Sequence, residues 1–271
     1  MKGKNCFLGI FLVFNSFSLF SQTEEGVNLM ETQTYSAQEN DELIKLYSGL
    51  RVTDVSDGMD QTGLPSTGLV NDEIHPAWID IENMSHSVAG IAATVRLVPT
   101  QRPDRNTPGE DFVSWRSAFL PASSKKAMED VIQPGTVLVI DDVEDKDIGT
   151  IGSKNILAWV KLGAVGVVTD AGARDTDEIA LQKIPLYLRK RGRGIRPGRN
   201  EVESVNRPVA IGGVLVCPGD VVVADGDGVV VVPRKVAVQV AKYARIIQEN
   251  DKKGRRRLYE ELGIPLDKTV Q

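Results

Sequence analysis

The amino-acid sequence predicts an α/β fold, and three patterns in its 271 residues support this prediction. Residues 136–170 run from a Val-rich strand through a helix at 153–162 to a second buried strand, which is the pattern of a βαβ unit. Residues 209–232 hold short Val-rich runs between Gly- and Asp-rich turns, which is typical of β-hairpins. Residues 235–248 have the spacing of an amphipathic helix, and residues 251–262 that of a separate charged helix. Strands that alternate with helices favour the α/β class.

Shorter elements surround the βαβ unit and are delimited by Gly, Pro and capping residues. Within the helix at 153–162, the spacing predicts that Ile156, Leu157 and Val160 face the core, with Trp159 as a further candidate. The other predicted elements are a helical turn from residue 41, a short helix capped by Thr53 or Asp54, a loop at 63–87, a strand at 89–98, helices at 111–120 and 124–132, a helix at 175–182 and a strand at 184–188.

The N-terminal residues are predicted to be a targeting segment outside the fold. Lys2 and Lys4 precede the apolar run 6–14, and the small residue Ser21 follows at a suitable cleavage position, as in a secretory signal peptide. The run is shorter than the roughly 20 apolar residues of a membrane span, so no span is expected after cleavage. The predicted organisation is a signal peptide at 1–21, a flexible lead-in at 22–38 and a single α/β domain at 39–271, in a periplasmic or secreted protein.

A Gly/Ala turn after the second strand of the βαβ unit carries the strongest indication of chemistry. Arg174 and Asp175 follow this turn, and loops at the carboxyl ends of such strands usually bind ligands. A guanidinium suits a carboxylate or an enolate oxygen, and an adjacent carboxylate suits a divalent cation. Asp177 and Glu178 add negative charge within one helical turn. The alternative is that these acids only complement the positive end of a helix.

Residues 149–155 form a second candidate site, because glycines precede a helix there. Backbone N–H groups at such a position can bind an anion. The sequence has no Walker pattern, so phosphate is not specifically indicated. The alternative is a flexible turn with an ordinary Ser cap.

These two segments together resemble the signature of the RraA-like family. Gly152 and Ser153, followed by Arg174, Asp175 and Glu178, carry the resemblance. The family includes the 4-hydroxy-4-methyl-2-oxoglutarate aldolases and the regulators of ribonuclease E activity. Supporting matches lie at residues 51–57, 209–213, 218–225 and 228–233, so the resemblance spans about residues 45–262.

The resemblance implies an α/β/β/α swivelling-type domain that assembles as a homotrimer or a dimer of trimers. It implies that Asp175 binds Mg²⁺ or Mn²⁺ and that Arg174 contacts the pyruvate moiety of a small acidic substrate. It further implies that backbone amides of the loop Gly152, Ser153, Lys154 and Asn155 hold the pyruvate carboxylate. The expected chemistry is retro-aldol cleavage or decarboxylation through an enolate, whose charge a cation and a guanidinium can stabilise.

The sequence departs from the family pattern at Ser153, where the aldolases carry an acid, and Lys154 follows. Two hypotheses remain open. Either Asp175, Asp177 and Glu178 suffice to hold the metal, which we favour, or Lys154 acts as cation or base. The predicted function is therefore a metal-assisted lyase acting on a 2-oxo acid or a sugar-derived acid. The alternative is a non-catalytic binding or regulatory protein that has lost full metal binding.

A basic segment at 189–199 has no counterpart in the aldolase pattern. It contains six Arg and Lys residues spaced by Gly and Pro. It could bind a sugar acid, or nucleic acid, or form a solvated loop or subunit contact paired with Glu201 and Glu203. The net charge of −5 and the lack of interleaved aromatic residues disfavour nucleic acid as a partner.

Overall fold

The computed structural model describes residues 27–102, 111–143 and 146–271. The chain divides into two compact units, residues 1–31 and 32–271. Of the first unit, the described residues form neither helix nor strand. The predicted signal peptide and its cleavage position at Ser21 lie outside the described residues. In the part of the chain that is described, no helix combines the length and apolar character needed to cross a membrane.

The second unit contains both helices and strands. The helices are α1 (Ala37–Tyr47), α2 (Val52–Gln61), α3 (Phe112–Phe119), α4 (Ala122–Asp130), α5 (Ser153–Leu162), α6 (Thr176–Leu181) and α7 (Ala237–Leu262), with a 3-10 turn at Arg234–Val236. The strands are β1 (His75–Pro76), β2 (Val88–Pro99), β3 (Thr136–Asp141), β4 (Ala164–Ala173), β5 (Leu186–Arg191), β6 (Asn200–Val205), β7 (Val209–Ile211), β8 (Val214–Val216), β9 (Val221–Asp225) and β10 (Gly228–Val232).

The main sheet has the strand order β1-β5-β4-β3-β2-β9-β10, and β6 pairs with the end of β2. Strands β2 to β5 are parallel, with Ala93 opposite Leu138 and Leu138 opposite Val167. Parallel neighbours need crossover connections, which here run through α3 and α4, then α5, then α6. The predicted βαβ unit and the α/β class are confirmed.

Three apolar clusters cover this sheet. Helices α4, α5 and α6 pack on the face that carries Leu138 and Ile140. The hairpin of β7 and β8 covers the opposite face, which carries Val137 and Val139, as the alternation of side chains along a strand requires. Helices α1, α2 and α7 pack on β9 and β10. This last cluster contains the Val side chains of β9 and β10, which pair as one of the hairpins predicted from the Val-rich runs.

Order in the second unit begins earlier than the sequence analysis predicts. Helix α1 starts at Ala37, inside the predicted lead-in, because Ser36 and Glu39 form a reciprocal capping box. The Glu39 carboxylate accepts the Ser36 N–H at 2.8 Å. In α2 the cap is Arg51 rather than the predicted Thr53 or Asp54. The S-x-x-E pattern of residues 36–39 signals the first cap, whereas in α2 the Asp54 carboxylate accepts the Arg51 N–H at 3.0 Å.

The two helices predicted at 235–248 and 251–262 are one continuous helix, α7. The expected break at residues 249–250 has helical backbone. Directly after it, Asp251 contacts Arg51 at 2.8 Å and Arg255 at 3.5 Å. The i, i+4 pair with Arg255 stabilises the charged half of the helix.

One further prediction needs correction, and one strand was not predicted. Leu157 and Val160 of α5 are 46% and 38% exposed, whereas Ile156 and Trp159 fill the core. Strand β6 lies where the sequence is polar, and its pairing with the end of β2 supplies the hydrogen bonds that the pattern of side chains does not reveal.

Candidate functional site

The candidate site lies at the carboxyl ends of β3, β4 and β5. Residues 146–151, which follow β3, lie against the ends of the other two strands: Ile151 forms a parallel bridge with Ala173, and Ile148 with Gly194. Three connecting segments that are distant in sequence therefore meet at one edge of the sheet. This edge is where ligands bind in open α/β sheets.

The three segments and the helix α3 line a cleft of about 140 Å³. Among the residues singled out from the sequence, Gly152, Lys154, Asn155, Arg174 and Asp175 line it. Its remaining lining residues are Arg116, Leu120, Gly149, Thr150, Ile195, Arg196 and Pro197. Arg174 thus faces the start of α5, the arrangement on which the expected anion chemistry depends.

The turn that carries Arg174 and Asp175 is strained but well held. Asp175 has φ +58° and ψ +35°, a left-handed conformation that is uncommon outside glycine. The Arg174 N–H donates to the Ile151 carbonyl at 2.8 Å. The Arg174 Nε lies 4.0 Å from the Asp175 Oδ2, and the two side chains are 35% and 39% exposed. Both groups therefore remain accessible to a ligand.

Two glycines allow this turn to approach α5. A Cβ at position 152 would lie 2.8 Å from the Asp175 Oδ2, and one at position 149 would lie 2.7 Å from the Arg174 Cβ. The Ser153 N–H donates to the Asp175 Oδ2 at 3.2 Å, and the Asn155 N–H donates to the Gly152 carbonyl at 2.9 Å. The amide groups expected to bind an anion are therefore partly used within the protein.

Asp177 and Glu178 do not join Asp175. Asp177 lines a separate open cleft with Trp78 and Lys183, and Glu178 is exposed without lining the site. Asp177 and Glu178 are successive residues of α6 and therefore point in different directions. Within residues 27–102, 111–143 and 146–271, no three His, Cys, Asp or Glu side chains form a group suited to a metal ion.

A buried polar network that the sequence analysis missed connects two of the segments that line the cleft. Asp142, which follows β3, is 5% exposed and accepts hydrogen bonds from the Val143 N–H at 2.7 Å and the Asn200 side-chain amide at 2.6 Å. The Thr150 hydroxyl also donates to Asp142. The Asn200 amide donates to the Thr150 oxygen at 3.0 Å. The network ties the segments after β3 and β5 together.

The basic segment at 189–199 is only in part a loop, because Arg189, Lys190 and Arg191 belong to β5. Arg193 pairs with Asp147 at 2.6 Å, and the Arg193 guanidinium lowers the pKa of Asp147. Glu201 pairs with Arg102 at 2.6 Å, so the pairing predicted between Glu201 and the basic segment is wrong.

The cleft is strongly cationic. Among the residues that the structure describes, Arg174, Lys154, Arg196 and Arg116 line it together with one carboxylate, that of Asp175. Such a charge balance favours an anionic ligand. The contribution of α3 could not be foreseen, because nothing in its sequence indicates contact with the turn after β4.

Comparison with known proteins identifies the family. A family model described as RraA-like (Aldolase/RraA) matches residues 52–231, more than half of the chain. The chain belongs to the RraA-like family. The resemblance drawn from the glycine loop and the Arg-Asp turn is thereby confirmed.

Among curated relatives, a protein of Halalkalibacterium halodurans named "Putative 4-hydroxy-4-methyl-2-oxoglutarate aldolase" is 32% identical over 127 residues, which are 46% of this chain and 59% of that protein. Protein DlpA of Legionella pneumophila is 24% identical over 208 residues, which are 76% of this chain and 29% of that protein. The matches thus span less than two thirds of the length of either relative.

Solved structures share the RraA-like fold. RraAS2 of Streptomyces coelicolor, described as an unusual member of the RNase ES inhibitor RraA protein family, superimposes with a TM-score of 0.62 at 24% identity over 83% of this chain and 98% of its own. A structure described as one of novel cellulases from microbes of the gut ecosystem gives 0.64 at 27% identity, over 86% and 93%. The predicted α/β/β/α fold is confirmed, and the family contains both aldolases and RNase inhibitors.

Proposed function

We propose that the protein is a lyase of the aldolase or decarboxylase type, which cleaves a bond of a 2-oxo acid through an enolate. The observation that carries this proposal is the meeting of the Arg174 guanidinium, the Asp175 carboxylate and the start of α5 in one cationic cleft. Membership of a family that includes aldolases supports it.

The residues of the cleft suit the charge changes of such a reaction. When the bond from C3 to the leaving carbon breaks, its electron pair forms the C2=C3 double bond and the carbonyl π pair moves to the 2-oxo oxygen, which gives an enolate. The leaving carbon departs as carbon dioxide or as a second carbonyl compound, and a proton then adds at C3 to give pyruvate. The Arg174 guanidinium can stabilise this developing charge, because preorganised donors in a partly desolvated cleft lower the energy of the transition state. Lys154 adds a second positive charge at the rim, where it is exposed.

A divalent cation fits at Asp175. Mg²⁺ is commonly held by one or two carboxylates together with water and substrate oxygens, and Asp175 offers one partly exposed carboxylate beside the cleft. When bound there, Mg²⁺ or Mn²⁺ would act as a Lewis acid towards the 2-oxo group. Asp177 and Glu178 do not line the cleft, so within it the first of our two hypotheses relies on Asp175.

The alternative function is non-catalytic binding of an acid. It is favoured by Ser153 and Lys154, which make the cleft more positive than the aldolase pattern. The two functions differ in turnover and not in ligand charge, so an activity assay separates them.

The test of the proposed function is pyruvate release from oxaloacetate and from 4-hydroxy-4-methyl-2-oxoglutarate, measured with Mg²⁺, with Mn²⁺ and with EDTA. We expect metal-dependent release by the wild type and a loss of roughly 10²–10³-fold in Arg174→Met, the scale of removing one charge-stabilising donor. Arg193→Met removes the same charge outside the cleft and should retain activity. Equal rates in Arg174→Met and the wild type would contradict the proposal, and ligand binding without turnover would support the alternative.

The variant Lys154→Met tests the hypothesis that this lysine acts as the base. We expect a rise of about fivefold in KM with little change in kcat, because an exposed charge contributes only about 1 kcal/mol to binding an anion. A large fall in kcat that no metal ion alters would instead assign the proton transfer to Lys154.

We also propose that the protein is a periplasmic or secreted homotrimer. The localisation rests on the sequence of residues 1–21. The exposed apolar side chains of Leu157, Val160 and Leu162 on α5 support self-association. Light scattering coupled to size-exclusion chromatography gives the molar mass that decides the oligomeric state.

A further inference from the structure

We propose that Arg196 determines specificity by binding a second anionic group of the ligand, while Arg174 and the start of α5 bind the first. This inference rests on the proposed function only for the nature of the first group, the carboxylate of a 2-oxo acid. The ligand is then a small acid with an anionic group at each end.

Among the described residues, the terminal nitrogens of Arg196 have no hydrogen-bond partner, in contrast to those of Arg193 and Arg199. Arg193 pairs with Asp147, and the terminal Nη1 of Arg199 donates to the Ile195 carbonyl at 2.7 Å. Arg196 donates only through Nε, to the Asn200 side-chain oxygen at 3.1 Å. Its two terminal nitrogens make no hydrogen bond to any residue that the structure describes. They are therefore available to a ligand in the cleft that Arg196 lines.

The charge of Arg196 is only partly compensated by the protein. Burial lowers the pKa of the Arg196 guanidinium, and the nearby Asp142 carboxylate opposes this shift. Asp142 is already hydrogen-bonded by Thr150 and Asn200, and it reaches Arg196 through Asn200 rather than by a direct ion pair. A half-buried cation without a direct partner is costly, and an anionic ligand would offset that cost.

The protein also holds Arg196 in a defined position. Asn200 is completely buried, and its N–H donates to the Arg196 carbonyl at 3.2 Å. The Gly149 N–H donates to the Gly194 carbonyl at 2.8 Å, which fixes this segment beside the loop that carries Gly152. A guanidinium fork that is held in place before binding loses little entropy when it pairs with a carboxylate.

The cleft limits the size of the ligand. Its volume of about 140 Å³ lies below the 300–1,000 Å³ of pockets for drug-sized molecules. Two cationic groups within so small a space favour a short acid over a polymer such as an oligosaccharide or RNA.

The test compares the binding of 2-oxoglutarate and 2-oxopentanoate by calorimetry. These acids share one chain length and differ only in the terminal carboxylate. We expect the wild type to bind 2-oxoglutarate at least about tenfold more tightly, the factor that one charge-assisted pair supplies. Arg196→Met should reduce this preference to about twofold and leave the affinity for 2-oxopentanoate almost unchanged.

Two further variants make the test specific. Arg193→Met removes a positive charge from the same segment outside the cleft, and we expect it to keep the wild-type preference. Arg196→Lys retains the charge without the planar fork, and we expect an intermediate preference. Thermal unfolding checks that each variant is folded, and Arg196→Lys decides the question if Arg196→Met does not fold.

The inference is overturned if the wild type does not distinguish the two acids, or if a folded Arg196 variant keeps the full preference. Pyruvate release by the wild type in either case would leave the proposed function intact. A preference that depends on Arg196 without pyruvate release would instead support the second anionic group and overturn the lyase.

Discussion

The two sides of the cleft hold their arginines in opposite ways. Arg174 and Asp175 lie on a strained turn, are about one third exposed and approach each other only to 4.0 Å. Arg196 is half-buried and is held by Asn200, which the Asp142 network fixes in turn. The first side leaves the Arg174 and Asp175 side chains free to pair with a substrate. The second side presents the Arg196 guanidinium in a fixed position.

The physical origin of this difference is the kind of support that each side receives. The turn at Asp175 carries a left-handed residue that costs of order 1–3 kcal/mol and is held mainly by backbone hydrogen bonds, such as Thr150 N–H to Gly172 at 3.1 Å. The network at Asp142 consists of buried side chains that are satisfied by one another, and such a network is rigid while complete and costly once broken. Mutations on the two sides should therefore have different consequences.

The largest effect is expected from Asp175→Asn. It should lower the rate of pyruvate release by roughly 10³-fold with little loss of stability, because it removes the carboxylate that we propose to hold the metal ion. The matched control is Asp177→Asn, which neutralises an acid two residues away in a separate cleft and should change the rate by less than about twofold. A similar loss in both variants would show that the acids of α6 act together after all.

The next effect is expected from Asp142→Ala, in stability. Removing a buried acceptor leaves the Thr150 and Asn200 donors unsatisfied, so the free energy of unfolding should fall by about 2–4 kcal/mol. Urea denaturation measures this change, and the exposed Asp72→Ala should stay within about 0.5 kcal/mol of the wild type. An Asp142→Ala variant as stable as the wild type would contradict the contrast between the two sides.

The smallest effect is expected from Gly152→Ala. Its Cβ would displace the Asp175 carboxylate, so activity should fall about tenfold through a small misplacement of the reacting groups. Gly254→Ala is the control, since a Cβ there meets no atom within 4 Å and should stabilise α7 by about 0.5–1 kcal/mol. Full activity in Gly152→Ala would mean that the close approach of Asp175 to α5 is not required.

The regular elements were largely predictable, because their apolar residues repeat with the period of a helix or a strand. The strand β3, the helix α5 and the Val-rich hairpins follow directly from such repeats. The failures have specific causes. Strand β6 is polar, Leu157 and Val160 lie on the outer face of α5, and α7 continues through residues 249–250, where a break between two helices was predicted.

The candidate site was predictable only where its residues are neighbours in sequence. Arg174 and Asp175 were found because they follow a strand that ends in a Gly/Ala turn. The same neighbourhood also suggested Asp177 and Glu178 as metal ligands; neither lines the cleft, and their role at a metal ion stays a prediction.

The sequence by itself determined the α/β class, the family and the Arg-Asp turn, because local periodicity and short motifs encode them. Only the tertiary structure decided that Asp142, Thr150 and Asn200 share one buried network and that Arg196 enters the cleft. These residues come from two segments, those after β3 and β5, and their proximity results from the parallel pairing of both strands with β4. Hydrogen bonds between distant segments leave no period in the sequence, so the charge of the cleft emerges only on folding.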